Sequence, residues 1–258
     1  MPPDFLFLLP PAGIFLFLLS WLGLMAALLH WLFSRAWLKR PCESFADVSP
    51  VIVTISGTLF GLSVTFLANS VWITQDAARE TVNSEARAIR VMENYIGSTS
   101  ATSQQGLHDL IASYGQAVAA EWNCMASAGA SPAAEAALRD VYAAVIQGFT
   151  EGEQNRVLQQ RLLAALDSVS TSRQQRLSMA QNIVSGGQWV LVIGLGLLLL
   201  FMTAATHARA PRPRKRALAA VTVAVSTTLF VIIKHDRPFV GQAALTPTPI
   251  LIATGAKS

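Results

Sequence analysis

Charge is what this chain has least of. Asp, Glu, Lys and Arg make up 13% of its 258 residues, against about 25% in an ordinary soluble domain. Hydrophobic residues make up 52%, mean hydropathy is +0.44, and the apolar residues are bunched into runs that a single aqueous core does not absorb. Cysteine is nearly missing: Cys42 and Cys124 stand alone, without the paired spacing of a zinc ribbon, an iron–sulfur cluster or a disulfide scaffold. The histidines His30, His108, His207 and His235 form no paired motif, and there is no Walker loop, no G-x-S-x-G elbow and no H-E-x-x-H. These absences argue against an enzyme and call for neither a metal nor a cofactor.

What is present is long and apolar. Ala12–Phe33 (22 residues), Val51–Trp72 (22), Ile183–Thr206 (24) and Ala217–Ile233 (17) contain no Asp, Glu, Lys or Arg. Each reaches or approaches the ~20 residues a helix needs to cross a hydrocarbon core of about 30 Å. Four transmembrane helices are expected, the last of them short. The first reads as an anchor and not a signal peptide, because no Lys or Arg precedes it while Arg35, Lys39 and Arg40 follow it. His30, beside Trp31, reads as an interfacial side chain.

Orientation follows from cations in the short loops. The first loop carries Arg35, Lys39 and Arg40, and the last carries Arg209, Arg212, Arg214, Lys215 and Arg216, so both are expected on the cytoplasmic side of an inner membrane. Residues 73–182 then lie outside, where 8 Lys/Arg against 11 Asp/Glu leave a net charge of −3. The basic pI therefore belongs to the inner loops and not to a nucleic-acid face. The Arg209–Arg216 cluster reads first as this retention signal, with anionic lipid as the other partner for it. Cys42 and Cys124 fall on opposite sides and do not pair.

Residues 73–182 read as helices. Leu107, Leu110, Ile111, Tyr114, Val118, Trp122 and Met125 recur at three- and four-residue steps, as do Leu138, Val141, Tyr142, Val145 and Phe149. The second span is expected to run on through Val82, Ala86, Ile89, Met92 and Ile96, and Leu158, Leu162, Ala165 and Val169 to lead a helix into the third span. Without strand alternation, the fold class is all-α: a four-span integral membrane protein with a membrane-proximal extracytoplasmic helical bundle. Divided along the chain, this gives an anchor and basic loop over 1–50, a second span over 51–72, the bundle over 73–182 and a hairpin with tail over 183–258. Helical angles place Glu93, Glu121, Arg173 and Arg176 on the apolar stripes of their helices. Buried charges are costly unless paired, so these four are expected to form Glu–Arg bridges clamping the helices, or else to line an ion vestibule or ligand-sensing site.

Within the second span, Thr54, Thr58, Gly61, Thr65 and Asn69 occupy one stripe, and Gly57 with Gly61 makes a small-xxx-small motif. Such a face packs helices in lipid or lines a hydrated pathway, and does both if it meets the axis of an oligomer. Gly186, Gly187, Gly194 and Gly196 in the third span, with Thr222, Ser226 and Thr227 in the fourth, are expected to serve close contact. Asp236 and Arg237 follow the last span, where they fix the helix end or ring a pore mouth. The absence of intramembrane carboxylates favours passive flow over proton-coupled pumping.

The run from Gly57 to Trp72 with Ala77, Glu85 and Ala86, then Tyr114, Glu121–Trp122, Arg173, Arg176–Leu177, Trp189, and Asp236–Arg237–Pro238–Phe239 with Gly241, resembles the bacterial bestrophin-like domain family. The resemblance covers about residues 50 to 250 and leaves the first span outside. It implies kinship with bestrophins, which are pentameric ligand-gated anion channels with some cation-selective bacterial relatives. Bestrophins keep the large inter-span region in the cytosol, whereas the cations here place it outside, and the acidic calcium clasp of animal bestrophins has no counterpart. The expected function is a homo-oligomeric channel for small ions, in contact with membrane lipid and with no nucleic-acid partner. The alternative is a non-conducting scaffold or envelope sensor whose outer bundle binds a partner.

Overall fold

The structure is a computed structural model that describes residues 10–34, 50–97, 101–122, 124–125, 129–148, 153–180, 184–240 and 244–256. Arg35, Lys39, Arg40, Cys42, Phe149 and Gly241 lie outside the described residues. Eight helices and no strand occur among the described residues: α1 (Pro11–Leu32), α2 (Pro50–Ile96), α3 (Ala101–Trp122), α4 (Pro132–Gly148), α5 (Glu153–Ser178), α6 (Gly186–Thr206), α7 (Pro211–His235) and α8 (Thr248–Thr254). Four of them, α1, α2, α6 and α7, are long and apolar enough to cross a membrane.

The helix ends follow local chemistry. Proline at the start of α1 and of α7 costs no hydrogen bond, because the first N–H groups of a helix have no intrahelical partner. For that reason α7 begins at Pro211 and takes in Arg212–Arg216, so the last span is not short: its helix has 25 residues, about 37 Å at 1.5 Å per residue. The third span does not continue the helix of Leu158–Val169. Instead α5 stops at Ser178, and α6 restarts behind Ser185, whose hydroxyl accepts from Gln188 N while Gln188 Oε1 accepts from Ser185 N. That reciprocal capping box fixes a helix start.

The chain divides into two compact units, Met1–Ile73 with Ile183–Asp236, and Thr74–Asn182 with Arg237–Ser258. In the first, α7 packs on α1 and α6. Ile14, Leu18, Leu22 and Ala26, at steps of four, form the buried stripe of α1, and Leu218, Val225, Leu229 and Ile232 are buried on α7. Of the small residues in α6, Gly196 makes the close approach, since a Cβ there would lie 3.3 Å from Val225 Cγ1 and 3.5 Å from Phe60, whereas Gly187 and Gly194 face open space. Thr222 and Ser226 are buried and Thr227 is exposed. Leu16, Leu24, Leu62, Phe66, Val190 and Val223 remain exposed, as side chains against lipid do.

In the second unit, α3 packs on α4 and α8, and α4 on α5. Val82, Ile89, Met92, Ile111, Val118, Val141, Leu162 and Val169 share one core with Ile250 of α8. The tail after Asp236, grouped with the last hairpin on sequence, packs in this bundle. A Cβ on Gly115 would collide with the Thr254 side chain, so glycine is what lets α8 lie against α3.

Candidate functional site

The bundle core holds four charges. Glu85 comes from α2, Glu121 from α3, and Arg173 and Arg176 from α5, and the side chains of Glu85, Glu121 and Arg176 are 0% exposed. Arg173 donates from Nη2 to Glu121 Oε1 at 2.5 Å and from Nε to Oε2 at 3.3 Å. Arg176 donates from Nε to Glu85 Oε2 at 2.9 Å, and its Nη2 is shared between Glu85 Oε1 and Glu121 Oε2, both at 3.3 Å. The remaining acceptor positions are also used: Tyr114 OH donates to Glu85 Oε1 at 2.7 Å, and Ser131 N to Glu121 Oε1 at 2.7 Å.

The shell around the tetrad completes it. The Arg176 guanidinium lies 4.8 Å from the Trp122 ring centroid, and its Nη1 meets Met125 Sδ at 3.1 Å, placing the cation on an aromatic face and a polarisable sulfur. Trp122 in turn donates from Nε1 to Leu245 O at 2.7 Å and meets Phe239 edge-on at 5.4 Å. Burial works against the charge on Arg176, but the Glu85 carboxylate, with Tyr114 and Glu121, outweighs it and holds the pKa above its ordinary value. Burial and then Glu85 hold the Tyr114 phenol well above its usual range, so it stays a donor. Two carboxylates and two guanidiniums balance, every carboxylate oxygen has donors, and the four side chains are buried among the described residues. The arrangement ties α2, α3 and α5 together.

Glu93 is not part of it. Its side chain is 22% exposed and pairs with His108, beside Asp109 at an open pocket of about 400 Å³; burial raises its carboxyl pKa and His108 pulls it down. The place expected for Glu93 is taken by Glu85, which sits between Val82 and Ile89 at steps of three and four. Glu93 has the same spacing between Ile89 and Ile96, so the local period does not choose between the two.

On the second span, Thr54, Thr58, Gly61, Thr65 and Asn69 are all exposed. Thr58 donates to Thr54 O at 2.9 Å and Thr65 to Gly61 O at 2.8 Å. The small-xxx-small pair splits: a Cβ on Gly57 would lie 3.8 Å from Leu199 of α6, and one on Gly61 meets nothing. Asp236 does not reach water. It is 0% exposed and accepts from Val184 N at 2.8 Å through Oδ1, joining the chain just ahead of the Ser185 N-cap of α6 to the end of α7. Arg237 is half-buried. Arg214, read on sequence as one cation of the inner cluster, is 1% exposed; it donates to Ser34 Oγ at 2.7 Å, Ala208 O at 2.9 Å and His30 O at 3.3 Å, satisfying carbonyls at the end of α1.

An all-helical chain with four membrane-length apolar helices is an α-helical membrane protein. Within that class it belongs to the bestrophin-like domain family, whose model matches residues 21–250. The match begins at Trp21, midway along α1, so the second half of the first span belongs to the domain and is not outside it. No curated protein and no solved structure matches the chain.

Proposed function

We propose that several copies of this chain assemble into a channel for the passive flow of small ions across the inner membrane, with anions favoured by the family resemblance alone. The observation that supports it is the polar stripe on α2. The apolar window of α2 is 17% buried, close to the 22% of α1 and below the 39% of α6 and α7, and the exposed face of α2, unlike that of α1, carries a stripe of polar and small residues, Thr54, Thr58, Gly61, Thr65 and Asn69. One four-span chain encloses no pore, so a stripe of hydroxyl, amide and backbone groups gains most by facing an axis shared with other copies. The sealed tetrad serves as a brace of the bundle, and the chain carries no covalent chemistry. Residues 73–182 lie on the outer side in this reading, as the eight loop cations direct.

Cysteine at Thr58 or Thr65, in a chain with Cys42 and Cys124 replaced by serine, is expected to react with a small charged thiol reagent. Leucine at either position is expected to reduce chloride or potassium flux from liposomes by dewetting the passage. Unreactive cysteines, loss of the oligomer on leucine substitution and no flux from the wild type would favour the scaffold. A maleimide that does not cross membranes should label cysteine at Ser100 and not at Ala210 in cells with an opened outer membrane; the reverse inverts the orientation.

A further inference from the structure

We propose that the groove between α1 and α7 is a binding site for one anionic phospholipid. The groove holds about 370 Å³ and is lined by Gly23 and Ala26 from α1 and by Ala219 and Val223 from α7, with His30 and Lys215 at one end. The two ends are fixed by Arg214, which donates to His30 Nδ1 at 3.3 Å and so brings the end of α1 to the start of α7. At about 30 Å³ for a group the size of a water molecule, the groove accommodates roughly a dozen such groups, enough for much of an acyl chain. Its depth comes from small residues, and a Cβ added to Gly23 meets nothing within 4 Å.

Charge selects the head group. Arg212, Lys215, Ala219, Thr222 and Val223 fall at three-, four-, three- and one-residue steps along α7, so one helical stripe carries cations above and an apolar floor below. Arg212, Lys215 and Arg216 are exposed, whereas Arg214 between them is turned inward and occupied. Neither α1 nor α7 contains an Asp or Glu, and the first turn of α7 adds the positive end of a 25-residue helix. Basic pockets between spans at the cytoplasmic face suit anionic head groups. A water-soluble anion has no use for the apolar floor, and a zwitterionic lipid gains less from three cations unopposed by a carboxylate on either helix.

The test uses the full-length protein in detergent, with phosphatidylglycerol or phosphatidylcholine added at equal mole fraction and retained lipid counted by native mass spectrometry. Wild type is expected to prefer phosphatidylglycerol, and Lys215→Gln and Arg212→Gln each to lower that preference about fivefold. Lys234→Gln, at the other end of α7, should not lower it. Gly23→Leu, which fills the groove where there is room, should reduce retention of both lipids without lowering thermal stability. Equal retention of the two lipids by wild type overturns the proposal, as does a preference that survives Lys215→Gln with Arg212→Gln. Loss of self-association in Gly23→Leu with lipid retention intact overturns it in favour of a second copy seated in the groove.

Discussion

In the bundle, Glu85, Glu121, Arg173 and Arg176 are buried with every carboxylate oxygen engaged. In the spans, Trp189 Nε1, Thr222 Oγ1 and Ser226 Oγ are buried with no hydrogen-bond partner among the described residues. The contrast is one of cost. Removing one partner from a buried ion pair costs about 3–5 kcal/mol, so the four charges of the bundle are held there as hydrogen-bonded pairs. An unpaired hydroxyl or indole N–H costs about 1–3 kcal/mol, which close helix packing tolerates. Arg214 follows the bundle's rule inside the spans' unit: a buried guanidinium there also has several acceptors.

The largest effect that would break this contrast is at Arg176. Arg176→Ala leaves Glu85 without its guanidinium and is expected to cost about 3–5 kcal/mol, read as a lower thermal midpoint in detergent. Glu121→Ala should fall in the same range, and Glu121→Gln should be milder because it keeps acceptor and shape. Near-normal midpoints would mean that water reaches the tetrad. Next comes Arg214→Leu, expected to cost about 1.5–3 kcal/mol through charge-assisted bonds lost at the end of α1, measured the same way. The smallest effects are expected from Thr222→Val and Ser226→Ala, within about 0.5 kcal/mol or slightly stabilising, since no partner is lost. A large loss at either position would show that these hydroxyls have partners in the assembled membrane protein.

Spans were legible because a run without charge has one physical solution in lipid, and only their ends moved. Capping at Ser185 and proline at Pro211 decide those ends, and neither changes the hydropathy of the run. Within the tetrad, helical angles identified Glu121, Arg173 and Arg176 as inward but chose Glu93 over Glu85. Glu85 and Glu93 lie at similar angles to either side of the stripe through Val82, Ala86, Ile89, Met92 and Ile96, and what separates them is that Glu93 meets His108 while Glu85 meets Arg176. Which carboxylate meets which guanidinium depends on contacts between residues 91 positions apart, and no local period carries that. Arg214 was hidden for a different reason. A cation in a basic loop satisfies the topology signal whether it faces water or turns inward.

The sharing of Arg176 between two carboxylates also constrains descent. A lineage that loses any one of Glu85, Glu121, Arg173 or Arg176 is left with an odd charge in an apolar core, and no second single change at a neighbouring position restores both pairings at once. Replacement must therefore pass through an unstable intermediate or remove a carboxylate and a guanidinium together. Sequences related to this chain are expected to keep or lose these positions as oppositely charged pairs, while Thr222 and Ser226 drift one at a time.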